Sequence, residues 1–522
     1  MIVDGRTVPD GERIDVDVCI VGAGPAGLTV AGELAGTDLR VCVLESGGVV
    51  PEPETAELAA GTTAGDPYFS LQEARARAIG GSSHRWDTHL RLRPLDAVDF
   101  ERRPGHPWSG WPLGAEALRP YYHRAHAVLG VDRPEYDPAA WDPRGTRRLP
   151  ANDDVATTLF HYTDRFDFTA AGRGVEHVAN VLLLHHATAV HLEQDGGRIA
   201  SLGVGCLDGT RFTVHATAYV LAAGGIENAR LLLAGSGGTS RGIGNGSDLV
   251  GRFFMEHLHV RSGVLVPAAA LDLGFYDQHV EDGATIRGAV GPTAAALRRE
   301  DLLNTTFLLV RSDRLRSSDT FRSLAVVRAR SRAEEAEPWG PHLRALLAHP
   351  LRAASTLGRL AAHRPGPTVY QLAATAEQAP DPACRVVLGS REDRFGMRLP
   401  HLVWRVGEWE RRSIRRAQEL LAAAWQAAGV GRLEGRLGEE RPRRLFRGHW
   451  HHLGTTRMDP DPTRGVVDEH SRVHGVANLY VTGSSVFPTG GYANPTLTIV
   501  ALALRLADEL EATLGTGMGP LW

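Results

Sequence analysis

DVDVCIVGAGPAGLTVAGELAG, residues 15–36, is the stretch that decides the fold. An apolar run rich in valine reads as a short buried strand, a glycine turn follows, and an Ala/Leu-rich segment reads as a helix. Gly22, Gly24 and Gly27 form G-x-G-x-x-G. Gly22 permits the tight turn, Gly24 lets a diphosphate approach the backbone, and Gly27 lets helix and strand pack closely. The helix N-terminus then offers free N–H groups and the positive end of its dipole to phosphate. A second strand, RVCVLES at 40–46, carries Glu45, 18 residues after Gly27. That spacing suits the acid that holds the ribose hydroxyls of a dinucleotide. A carboxylate there favours an unphosphorylated ribose, hence FAD or NAD and not NADP.

The 522 residues exceed what one core usually supports, so two or more lobes are expected. The chain has no lysine, so its 57 basic residues are all arginine. This excludes Schiff-base chemistry and a P-loop, both of which need a lysine amine. The net charge of −4 gives no nucleic-acid footprint. Cys19, Cys42, Cys206 and Cys384 lie far apart with no CxxC, and reduced, buried thiols are expected. A reducing cytoplasm fits them. The opening MIVDGRTVPDGERID shows no signal-peptide pattern, and no apolar run reaches membrane-spanning length, so no membrane partner is expected.

Further along, SLQEARARAIGGSSHRWDTHLRLR (70–93) carries the pair Gly80-Gly81, small enough to let backbone approach a large flat cofactor. Residues 104–147, rich in Pro, Trp and Tyr, read as an irregular surface excursion. Residues 181–233 alternate in strands joined at Asp195-Gly196 and Asp208-Gly209-Thr210, a β-meander that returns through AYVLAAGG to a buried strand and a helix. Between 260 and 445, strand-like stretches (RSGVLVP, NTTFLLVR, FRSLAVVRARSR, ACRVVLGS, HLVWRV) mix with helical regions near 341–363 and 408–428. The expected fold is α/β: a Rossmann-like nucleotide domain with a β-meander from 1–100, 176–260 and 446–522, and a discontinuous α+β substrate domain from 101–175 and 261–445.

GHWHHLGTTRM, residues 448–458, places His449, His451 and His452 before a Gly-Thr-Thr turn. Imidazoles there could exchange protons near neutral pH, hold a metal, or fix the turn. No further ligands at suitable spacing stand out, so no metal is expected.

Together these segments resemble the glucose–methanol–choline (GMC) oxidoreductases, FAD enzymes that oxidise alcohols. The resemblance rests on GAGPAG with Glu45, ARAIGGSSHRW (76–86), VLAAGGIENARLLL (220–233), DLVGRFFMEH (248–257), HHLGTTRM with VVD at 466–468, and LYVTGSSVFPTGGYANPTLTIVALALRLAD (479–508). It implies FAD as cofactor, His451 as the catalytic base and Asn494 as its partner, with His449 and His452 as supporting neighbours. It also implies FAD contacts at Arg77, Gly80, Gly81, Ser83, His84, Val190, Ala222, Gly483, Ser484 and Thr496. Pyranose 2-oxidases in the family attach FAD to the histidine of an S-T-H-W run. Here Arg85 stands at that place in Ser83-His84-Arg85-Trp86, so the FAD is expected to be non-covalent.

The Asn494 form of the pair is most similar to the sugar- and glycoside-oxidising branch, including pyranose oxidases. The expectation is oxidation of a sugar or glycoside hydroxyl to the carbonyl, with hydride passing to flavin N5 and oxygen as electron acceptor. Two alternatives stay open: a dehydrogenase that uses a quinone or a partner protein, and a lyase that holds FAD without net redox. No C-x-x-C-H haem motif occurs, so any electron relay would be external.

Overall fold

The structure, a computed structural model, describes all residues except 87–88, 165, 236–240, 314–318, 330–338, 362–366, 436, 438–445 and 516–522. Seven elements position the site: β1 (Arg13–Val21), α1 (Pro25–Glu33), β2 (Val41–Leu44), β3 (Arg211–Leu221), α2 (Gly224–Ala234), β4 (His257–Pro267) and α3 (Thr496–Leu514).

The first sheet runs Ile2–Asp4, Val181–His185, β2, β1, β3, all paired in parallel. The far edge of β3 is shared. Its first half pairs antiparallel with Arg198–Gly205 of the meander, and its last residues pair in parallel with Leu479–Val481. β2 and the second half of β1 are wholly buried, as near-continuous apolar runs require when helices cover both faces. The carboxyl ends of four parallel strands therefore lie side by side, followed by Gly22, Glu45, Ala222 and, after one further residue, Gly483. This is the edge at which open α/β sheets bind ligands.

The second sheet is antiparallel: Gly431–Gly435, β4, Thr368–Glu377, Thr305–Asp313, Ala284–Pro292, Val155–Thr163 and Leu90–Leu92. Leu90–Leu92 and the first residues of β4 belong to this sheet, so sheet membership places them across the boundaries read from sequence at 100 and 260.

Two expectations are corrected. The Pro-rich stretch 104–147 contains the helix Ala115–Val128, whose buried Leu118, Tyr122 and Ala125 follow helical spacing. It packs on α3, where the Tyr122 hydroxyl meets Thr498 Oγ1 at 3.0 Å. Pro120 lies inside the helix, at the cost of one backbone hydrogen bond, and its presence masked the stripe. Of FRSLAVVRARSR (321–332), read as strand-like, residues 321–329 belong to the helix Asp319–Ala329 and the last three lie outside the described residues. This helix packs against Trp339–Ala348, with Ser323 Oγ 3.1 Å from His342 Nδ1. The helix partner decided what a short apolar alternation left ambiguous. No helix among the described residues is long and apolar enough to cross a membrane. All four cysteines are free and buried.

Candidate active site

The glycine positions are explained by close approaches. Gly22 has φ +105°, and a Cβ there would lie 2.8 Å from the Ala222 carbonyl oxygen. A Cβ on Gly27 would fall 1.9 Å from the Gly22 oxygen, so Gly27 serves the packing of α1 on β1. The second glycine pair is built onto the first. Gly80 N–H donates to the Ala23 carbonyl at 2.8 Å, and a Cβ on Gly81 (φ +58°) would sit 2.8 Å from Gly24 Cα. Two distant loops thus meet backbone to backbone and leave a bare floor.

Above this floor lies a cavity of about 860 Å³. Of the residues proposed from sequence, Gly22, Gly24, Glu45, Arg77, Gly81, Ala222, His451, Gly483, Ser484, Asn494 and Thr496 line it. Gly27, Gly80, Ser83, His84 and Val190 do not. Ser83 Oγ donates to the Gly80 carbonyl at 2.7 Å, and a His84 ring nitrogen lies 2.8 Å from the Ile79 carbonyl, so both shape the turn. Val190 falls at a register shift between Ala189 and His191, and its methyls lie near Gly203 and Gly205; Ala187, Thr188 and Ala189 line the cavity in its stead.

The residues present fit FAD. Glu45 is buried at the cavity wall, held by the N–H groups of Ala23 (3.0 Å) and Gly47 (2.9 Å), and burial pushes its carboxyl up. A carboxylate has about four lone-pair positions, so acceptors remain for ribose hydroxyls. Arg75, Arg77 and Arg230 also reach the cavity and share the single carboxylate of Glu227, with Asp393 completing Arg230. Buried beside three guanidinium groups, Glu227 is held well below the usual carboxylate range in spite of its desolvation. The cluster keeps a net positive charge, which suits a diphosphate.

At the other end of the cavity, a strand-like pairing assembles the catalytic candidates. Met255 pairs with Leu453 and His259 with Arg447, so residues 447–453 run antiparallel to 255–259. Between these bridges, five residues oppose three, and the longer side bulges, with Trp450 at φ +60°. The N–H groups of His449 and His451 are both accepted by one oxygen of buried Glu256, at 2.9 and 3.0 Å. The other Glu256 oxygen meets the Tyr68 hydroxyl. A buried side-chain carboxylate thus replaces the missing ladder acceptors. Burial pushes Glu256 up to about 7.

This pairing brings His257 Nδ1 to 2.7 Å from His451 Nδ1. His257 Nε2 lies 3.1 Å from the Gly490 carbonyl, which can only accept. Neutral His257 therefore carries its proton on Nε2 and accepts at Nδ1 from His451. It follows that His451 Nε2 is bare. That atom faces Asn494 Nδ2 at 3.5 Å. Arg91 Nε donates to Asn494 Oδ1 at 2.6 Å, which turns the amide NH2 toward His451. An acceptor and a donor thus converge on one point. Burial, reinforced by His257, His449, His259 and Arg91, holds His451 well below the usual histidine range, so it is neutral near pH 7. Burial likewise brings His257 to about 4.

His449 stacks on His259 with centroids 3.9 Å apart, and His452 packs beside Tyr68 and Phe254 with its carbonyl accepting from Ser484. Sequence reasoning missed Glu256, His257 and Arg91. The MEH of residues 255–257 was visible, but nothing local pairs it with a histidine 194 positions on.

Residues 380–503 match the GMC oxidoreductase C-terminal family and residues 17–242 the FAD dependent oxidoreductase family. The chain is an FAD-dependent oxidoreductase of the GMC family. It is 26% identical to paromamine 6'-oxidase of Streptomyces fradiae, over 98% of this chain and 94% of that one. It is 23% identical to 2-methyl-1,2-propanediol dehydrogenase of Mycolicibacterium austroafricanum, over 95% of each. It also shares 27% identity with the fructose dehydrogenase large subunit of Gluconobacter japonicus, over 64% of this chain, and spans only 55% of that subunit. The fold is that of the solved pyridoxine 4-oxidase from Mesorbium loti, with TM-score 0.53 and 18% identity over 94% of this chain and 98% of that one.

Proposed function

We propose that this enzyme oxidises a secondary or primary hydroxyl of a sugar or glycoside to the carbonyl, with oxygen as the electron acceptor. The observation that carries the reading is the bare Nε2 of His451 facing the Asn494 amide donor. A substrate hydroxyl between them donates to His451 and accepts from Asn494. His451 takes the hydroxyl proton as the adjacent C–H leaves with its electron pair, and Asn494 stabilises the developing alkoxide. FAD, when bound, supplies the hydride acceptor and passes two electrons on to oxygen. Arg91, Tyr162, His259, Gln278, Arg287 and His449 line the same end of the cavity, a polar wall matched to a hydroxyl-rich substrate. The names of the paromamine and fructose relatives support that class.

His84 is engaged in its turn, off the cavity, which supports non-covalent FAD. Acid precipitation should release all yellow colour into the supernatant. A dehydrogenase is the second reading, since two of the three relatives above carry that name. Anaerobic titration with sugars, glycosides and small diols, followed by air, separates the two. Bleaching with rapid recovery and peroxide release is expected. Bleaching that persists in air would favour the dehydrogenase, and bleaching by small diols alone would overturn the sugar reading.

A further inference from the structure

The double histidine of VLLLHHATAV serves no role in the site above. His185 ends the strand Val181–His185, opposite Asp4 of the N-terminal edge strand. In a continuing strand, consecutive side chains would point to opposite faces. Here His186 has φ +56°, a left-handed conformation that is costly for a non-glycine residue. The turn swings its ring to the same side as that of His185. The two Nδ1 atoms lie 2.8 Å apart, and His186 Nδ1 lies 3.5 Å from Asp4 Oδ1. All three potential ligand atoms fall within 4.8 Å of one another, and all three residues are half-buried.

We propose that Asp4, His185 and His186 form a binding site for a divalent transition-metal ion of the zinc class, with two imidazole Nδ1 ligands, one carboxylate oxygen and water. Separations of 2.8–3.5 Å match neighbouring ligands around a small ion with bonds of about 2.0–2.2 Å. A further partner has the arrangement such ligands use. His186 Nε2 lies 2.9 Å from Glu52 Oε2, which fixes the proton on Nε2, so Nδ1 accepts from His185 Nδ1–H; an ion would replace that shared proton as His185 moves its own to Nε2. Arg6 donates to both Asp4 oxygens, at 3.0 Å from Nε and 2.6 Å from its terminal nitrogen. The Arg6 backbone N–H also donates to Oδ1 at 3.0 Å, so the ion would take the place of the Nε contact on that oxygen, while Nε stays within 3.1 Å of Oδ2.

The site would join three segments: the edge strand, the end of the next strand, and the loop that carries Glu45. His186 N–H donates to Gly47 and Ala187 N–H to the Glu45 carbonyl, both at 2.8 Å. A bound ion would therefore brace the ribose-binding corner, away from the redox centre.

The test uses the FAD-loaded full chain, stripped with a chelator and titrated with Zn2+ against a chromogenic chelator. One equivalent is expected for the wild type. Asp4→Asn and His186→Asn should each weaken it at least tenfold; asparagine tolerates the left-handed backbone at 186. Flavin content reports whether each variant has folded. Failure of the wild type to take up stoichiometric zinc, or unchanged affinity in both folded variants, would overturn the site. Should the variants lose flavin, zinc-edge absorption on the wild type decides. Two imidazoles with oxygen ligands support the site, and any other shell overturns it.

Discussion

The cofactor cradle and the histidine cluster face each other across one cavity but are built in opposite ways. The cradle is backbone: glycines at the ends of parallel strands, packed so closely that a single Cβ at Gly22 or Gly81 meets main-chain atoms at 2.8 Å. The cluster is side chain: His257, His451, Asn494 and Arg91 come from four separate segments, and their order is a chain of donors and acceptors. The glycine floor of the cradle is sensitive to bulk and, unlike Glu45 beside it, has no side chain to titrate. The cluster is sensitive to which nitrogen holds a proton.

Substitutions at each end should therefore fail differently. Gly22→Val should have the largest effect, since a β-branched residue is placed at φ +105° against the Ala222 carbonyl. The product should be flavin-free or unfolded, read by visible absorbance. His451→Ala should keep its flavin but slow anaerobic flavin reduction by substrate about 10²–10⁴-fold, the usual contribution of a general base. A variant of His451 that reduces at the wild-type rate would remove the cluster from the chemistry.

His257→Phe tests the relay more finely. It removes the acceptor for His451 Nδ1–H and leaves the imidazole free to change tautomer. Loss of one such hydrogen bond should slow reduction on the order of tenfold. A merely structural role would stop there. The relay predicts a second change, because His257 is among the groups that lower His451. The base form exists above its pKa, so the wild-type rate should hold as pH falls through 6.5 and drop only well below it. In His257→Phe the acid limb should move to higher pH. An unmoved limb would break the relay while sparing the base.

The same contrast explains what could be read from sequence. Gly22, Gly24, Gly27 and Glu45 are legible because strand, turn and helix are consecutive and the glycine spacing reports a local close approach. Asn494 and His451 were reached through motif resemblance. Glu256, His257 and Arg91 carry no local signature: their roles exist only once 255–259 pairs with 447–453 and the second sheet brings Leu90–Leu92 alongside. Val190 shows the limit at single-residue scale. The family resemblance implied an FAD contact there, but the strand shifts register after Ala189, and Ala187, Thr188 and Ala189 line the cavity instead; a motif match gives no warning of a bulge.

Glu256 joins the two regimes, since it is an ionisable side chain doing the work of a backbone acceptor. Burial raises it from 4.5 to about 7, so the native chain binds a proton there that the unfolded chain releases at lower pH. The resulting stabilisation is complete below pH 4.5 and is lost as pH rises through about 7. Glu256→Gln keeps one oxygen for the His449 and His451 N–H groups and offers an amide donor to the Tyr68 oxygen. Reduction by substrate should change by less than about threefold, since each hydrogen bond is exchanged and none is deleted. The melting temperature carries the sharper signal. Wild type and variant should melt together near pH 4.5, and the variant should gain on the wild type as pH rises toward 7. A difference that shrinks over that range would mean that Glu256 is ionised in the folded chain and that the bulge is held by a charge, not by the geometry of a neutral acceptor.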